Sequence, residues 1–139
     1  MRLRDYESQG LSSIKGISDS YEFHKNFDSS VKDTYKVNVI SLDTYLHDHS
    51  DIQNIILKVD TQGSEMEVLR GAKNAFETGK IKAVIIEATT LKKYNFSETY
   101  INIFEYLHSF KFKLFDLYPF YYEKDGAMSE FDCVFVKDY

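Results

Sequence analysis

Three carboxylates and a glycine carry the chemistry legible in this sequence. Asp60, Gly63 and Glu65 lie in the run Lys58-Val59-Asp60-Thr61-Gln62-Gly63-Ser64-Glu65, and Glu87 ends the run Val84-Ile85-Ile86-Glu87. Asp60 and Glu87 each close an apolar stretch of the kind that forms a buried strand, and open α/β sheets bind ligands beyond the carboxyl ends of their strands. Carboxylates placed there can take a proton from a substrate hydroxyl, orient a polar ligand or share a divalent cation. His47 and His49 are the other candidate ligands, but an i, i+2 spacing splays them apart on a helix, so they read as solvated surface residues.

Strands and helices must position these groups. In the strand expected at 54–61, Ile55, Leu57 and Val59 share one face while Ile56, Lys58 and Asp60 share the other. Apolar residues on both faces suggest helices on both sides, as in parallel sheets. Ser64 followed by Glu67 forms a capping-box pattern, which gives Glu67 a structural reason to be there. The helix so begun runs to about residue 78, with Val68, Leu69, Ala72, Ala75 and Phe76 inward and Gly79-Lys80 as its stop. Gly71 inside it costs about 1 kcal/mol against alanine, which a close helix–sheet contact would explain. A second strand at 82–88 completes a right-handed crossover, placing Glu87 at the same sheet end as Asp60.

After it, Ser97 is the expected cap of a helix at 98–110 with Tyr100, Ile103, Phe104 and Leu107 inward. Strands at 112–118 and 132–137 should pair as an antiparallel hairpin across a long loop through Asp125-Gly126. Upstream the pattern is weak. Residues 1–35 read as loop with one short strand near 21–23, followed by a strand at 37–41 and a helix at 42–49.

A length of 139 residues suits one domain, and 43% hydrophobic with 28% charged residues is ordinary for a soluble globular chain. A formal charge of −5 supplies no basic footprint, so binding to a nucleic-acid backbone is disfavoured. The one cysteine, Cys133, sits in an apolar alternation and reads as a buried reduced thiol, which fits a cytoplasmic setting. Neither a signal peptide nor a membrane span is evident. The eleven Tyr and eleven Phe, concentrated after residue 94, read as core and rim rather than a stacking surface.

The sequence resembles the FkbM-type S-adenosylmethionine-dependent methyltransferases. The resemblance is carried by Leu57-Lys58-Val59-Asp60-Thr61-Gln62-Gly63-Ser64-Glu65, by Val68-Leu69-Arg70-Gly71-Ala72 and by Val84-Ile85-Ile86-Glu87. Val39-Ile40-Ser41-Leu42-Asp43, Gly10-Leu11-Ser12-Ser13, Phe112-Lys113-Leu114-Phe115-Asp116 and Asp132-Cys133-Val134-Phe135-Val136 support it. The commoner family pattern has glutamate at the position of Gln62, which argues against an essential carboxylate there.

The resemblance implies an α/β fold, a class I methyltransferase (Rossmann-like) sheet that is mostly parallel with an antiparallel C-terminal hairpin. The strand ending at Asp60 would be its fourth of seven. It further implies S-adenosylmethionine as cofactor, a hydroxyl on a sugar, lipid or natural product as acceptor, Asp60 and Gly63 on the cofactor side, and Asp60, Glu65 and Glu87 as catalytic residues. No GxG turn occurs to cradle the cofactor's methionine part, so the chain is expected to correspond to the carboxyl-terminal half of such a domain. On that expectation the strand at 54–61 has an uncovered edge through which the chain could self-associate. Two other classes remain open: a hydrolase in which Asp60, Glu65 and Glu87 gather a cation, and a non-catalytic remnant or interaction module.

Overall fold

The computed structural model describes residues 1–7, 12–18 and 28–138. Its larger sheet has four strands in the order β3 (Ile55–Val59), β4 (Ile81–Thr89), β6 (Met128–Lys137), β5 (Phe112–Tyr122). β3 and β4 are parallel, joined through α2 (Glu65–Arg70) and α3 (Lys73–Glu77), as the crossover pattern predicts. β6 is antiparallel to both β4 and β5. Three strands therefore point one way and only β6 runs against them, which matches the expected strand directions, although β6 lies between β4 and β5. The hairpin loop is shorter than expected, because β5 and β6 continue pairing to Tyr122 and Met128.

Alternation fixes which face is inside. Val59, Val84, Ile86, Ala88, Phe131, Cys133 and Phe135 are buried on the face covered by helices, the Val, Ile and Phe side chains each contributing about 1.5–3 kcal/mol relative to an exposed position. Phe76 of α3 is fully buried among Tyr106, Phe110 and Phe112, with ring centroids 5.2 Å from Phe110 and 5.5 Å from Phe112. α4 (Tyr100–Ser109) adds Ile103 and Leu107. The expectation of cover on both faces fails: Ile56 is 68% exposed and Lys58 is exposed beside it, so the second face of β3 meets solvent among the described residues. Cys133 is buried as predicted, and desolvation pushes its thiol up to about 12. No helix among the described residues is long and apolar enough to cross a membrane.

The expected long helix is broken. Gly71 and Ala72 separate α2 from α3, and the new amino terminus is capped from a distance by Asp43 of α1 (Leu42–Asp48), whose carboxylate accepts from Asn74 N at 2.8 Å and Ala75 N at 2.9 Å. Asp43 N in turn donates to Gly71 O. A Cβ at Gly71 would lie 3.3 Å from both Ser41 Cβ and Glu67 O, so the close approach is to the α1 entry and not to the sheet. Ser41 caps α1 through Thr44 N.

Upstream, β1 (Arg2–Tyr6) and β2 (Val31–Lys36) form an antiparallel pair, where only loop and a strand at 37–41 were expected. All of β2 is exposed and only Tyr6 of β1 is buried, so no hydrophobic periodicity marks either strand. Residues 37–41 have no regular structure, and the strand expected near 21–23 lies outside the described residues. The last helix starts at Tyr100 with Thr99 as N-cap, since Ser97 is buried and donates to Tyr94 O.

Asp43→Ala removes a cap that bridges two helices. Its unfolding free energy should fall by about 1 kcal/mol in a urea titration, whereas Asp48→Ala at the exposed end of α1 should leave stability within about 0.5 kcal/mol.

Candidate functional site

At the carboxyl end of β3 the backbone turns through two left-handed residues, Gln62 at φ 50° and Gly63 at φ 95°. Glu65 holds the turn, its Oε1 accepting from Thr61 N at 3.1 Å, Gly63 N at 3.0 Å and Thr61 Oγ1 at 3.3 Å. Such convergence on one carboxylate oxygen gives Glu65 a structural function in the turn. Gly63 is required twice over: its φ suits glycine, and a Cβ there would lie 2.7–2.8 Å from the Tyr94 side chain.

Asp60 and Glu87 do meet, as the crossover predicts, and Gln62 connects them. Gln62 Nε2 donates to Asp60 Oδ1 at 3.2 Å and to Glu87 Oε1 at 3.3 Å, while Tyr94 Oη donates to Gln62 Oε1 at 2.9 Å. Lys58 pairs with Asp60 at 3.3 Å. Beside Glu87 lies the nearly buried ion pair Lys93–Glu130. Burial raises Glu87 to about 7, helped by the charges of Asp60, Glu130 and Glu65 and opposed by Lys93. Burial also raises the Tyr94 hydroxyl, so it stays a neutral donor at ordinary pH.

Access differs sharply among the three carboxylates. The crevice bounded by Gly63, Glu65, Glu87 and Tyr94 holds only about 10 Å³, too little for more than a single water. Asp60 is exposed. A cleft of about 480 Å³, walled by Leu3, Ile14, Ile40, Leu42 and Val68, opens beside the neighbouring Thr61 and Ser64, a size suited to a small organic ligand. Asp60 does not line this cleft; it is open to solvent one residue before Thr61, which does, whereas Glu65 and Glu87 line the closed crevice.

Glu67 is not the partner of Ser64. The Ser64 backbone lies at φ −114°, ψ 20°, outside the extended region a capping serine needs, and its buried hydroxyl has no partner among the described residues. Glu67 instead pairs with Lys15 Nζ at 2.8 Å. His47 is exposed, and His49 stacks on Tyr45. Among the described residues no three His, Cys, Asp or Glu side chains converge as a metal-ligand set, so the gathering of Asp60, Glu65 and Glu87 about a cation does not occur.

Sequence reasoning missed Gln62 and Tyr94. Gln62 stood out only as a departure from a carboxylate pattern, and Tyr94 lies between the strand expected at 82–88 and the helix expected at 98–110, in neither element. The one usable signal was Gly63, because a glycine at a strand end often marks close approach by another part of the chain.

Glu87 gives the protein a pH signature. Its folded value lies above its ordinary 4.5, so the folded state binds the extra proton between about 4.5 and about 7. The stabilisation is complete below 4.5 and is lost as pH rises through 7. The difference in melting temperature between the parent and Glu87→Gln should shift against the parent across that window. A difference constant with pH would count against the assignment.

Residues 4–114 of the 139 match a family model described as methyltransferase FkbM domain. No curated protein and no solved structure matches the chain.

Proposed function

This chain belongs to the FkbM methyltransferase domain family, and from that membership we propose that it serves S-adenosylmethionine-dependent methyl transfer to a hydroxyl of a small-molecule or glycan acceptor. The observation that carries the reading is Asp60: a solvent-reachable carboxylate at the end of β3, held from one side by Lys58 and from the other by Gln62. Methyl transfer to oxygen needs the acceptor aligned with the methyl carbon and a base for the hydroxyl proton. Asp60 takes that proton. Glu87 and Glu65 act behind it, Glu87 through the shared Gln62 amide and Glu65 by holding the turn.

The residues fit the acceptor side of such a site. Among the described residues none forms a glycine-rich turn for the methionine part of S-adenosylmethionine, and Gly63 accommodates Tyr94. When bound, the cofactor supplies an electrophilic methyl group; the chain's own part is to orient the acceptor and remove its proton. The apolar walls of the 480 Å³ cleft favour an acceptor with apolar surface, such as a lipid or natural-product alcohol, over a bare sugar.

A second reading is favoured by the open edge of β3. Ile56 is 68% exposed, and the unpaired side of a short strand is a place for another strand to add, from a second copy or a different chain. On this reading the chain is a binding module.

Calorimetry with S-adenosylmethionine separates the two. Saturable binding, with transfer of a labelled methyl group to an alcohol acceptor reduced about 10²–10⁴-fold by Asp60→Asn, is the expected result for an enzyme. No heat of binding together with a concentration-dependent dimer in sedimentation would favour the module.

A further inference from the structure

Gln62 occupies a conformation that its type does not favour. A non-glycine residue at φ 50° costs roughly 1–2 kcal/mol, and such strain persists only where surrounding contacts fix it. Here they do. Ser13 Oγ donates to Gln62 O at 2.6 Å, and every polar atom of the side chain is engaged. The partners also settle which way the amide faces. Two carboxylates need the two N–H donors, and the one neighbouring donor, the Tyr94 hydroxyl, needs the carbonyl. A carboxylate of the same length could satisfy Tyr94 but would set a third negative charge against Asp60 and Glu87.

We propose that Gln62 is a positioning residue whose carboxamide yokes Asp60 on β3 to Glu87 on β4, fixing the direction of the Asp60 carboxylate and linking the state of one acid to the other. The yoke spans the ends of two adjacent parallel strands, and its third arm comes from the loop after β4. Tyr94 reaches it because Gly63 leaves room, and Tyr94 is itself 2% exposed and bridged to Ile17 of the amino-terminal segment. The groups facing Glu87 are Asp60, Glu65, Lys93, Tyr94 and Glu130, with Asp132 opposite it on β6. Of these, Asp60 and Tyr94 contact the Gln62 side chain. This role rests on the reading of Asp60 as the proton acceptor only for its consequence in catalysis; the linkage itself is a property of the free protein.

Carboxyl ¹³C titration by NMR tests it without acceptor or cofactor. In Gln62→Met, which keeps length and apolar bulk and deletes both donors, the Glu87 midpoint should rise by about one unit, because an anion loses a hydrogen bond while staying desolvated. The Asp60 signal, which in the parent should respond as Glu87 titrates, should lose the part of that response carried by the amide and keep only the smaller through-space effect of the Glu87 charge. Gln62→Gly, which relieves the left-handed backbone, provides a folded second variant in which the Asp60 response should likewise shrink to the through-space effect of the Glu87 charge. A purely structural turn residue would alter the melting temperature and leave the Glu87 midpoint and the Asp60 signal's response to it as they were. An unshifted Glu87 midpoint in folded Gln62→Met, or an undiminished Asp60 response in Gln62→Gly, would overturn the proposal. Absence of methyl transfer with the titrations changed as described would strike only the enzymatic reading.

Discussion

Two left-handed residues in succession at the end of β3 are the constraint on which the site depends. The strand must stop, reverse and enter α2 within five residues, and the backbone amides freed by the turn must find acceptors. Glu65 supplies one oxygen for two of them, and Ser13 reaches in from the amino-terminal segment to the carbonyl of Gln62. Once the turn is set, Asp60 faces solvent, Gln62 faces Glu87, and Gly63 gives its outer surface to Tyr94. A different turn here would separate the carboxylates that the parallel strands bring together.

Electrostatics and packing reinforce each other around that turn. Glu87, Lys93, Glu130 and Tyr94 are largely removed from water, where an unpaired charge costs several kcal/mol. The Lys93–Glu130 pair satisfies two of these charges, and the neutral Gln62 amide satisfies two carboxylates without adding a third. Glutamine serves where glutamate would need a proton. The arrangement leaves Asp60 as the one carboxylate of the set open to a ligand.

Much of the scaffold was legible because burial imposes a period. The alternation in Ile81–Thr89 and the apolar run ending at Asp60 predicted two parallel strands with their acids at one end, and both are found. The FkbM resemblance drew on the same residues. What escaped had no local signature. β1 and β2 pair with only Tyr6 buried and with no alternation to announce them; Asp43 caps a helix 31 residues away; Tyr94 completes a network begun 32 residues earlier. Glu67 was assigned a cap from spacing alone, but the Ser64 dihedrals exclude that geometry and Glu65 already holds the turn. Expecting cover on both faces of β3 failed for a related reason: apolar residues at alternate positions show a capacity for burial, and only the other elements decide whether it is used.

The position of β6 bears on how the chain reaches this structure. It is the last described strand in sequence, yet it lies inside the sheet between β4 and β5 and supplies Phe131, Cys133 and Phe135 to the core. The crossover from β3 to β4 is local and can form early, whereas its inner edge stays open until residues 128–137 are available. Residues 54–87 leave the ribosome before residues 128–137, so the carboxylates can be gathered before the sheet behind them closes. Consolidation must then await the hairpin, a late, non-local step of the kind that slows folding and leaves apolar strand edges exposed to other chains meanwhile.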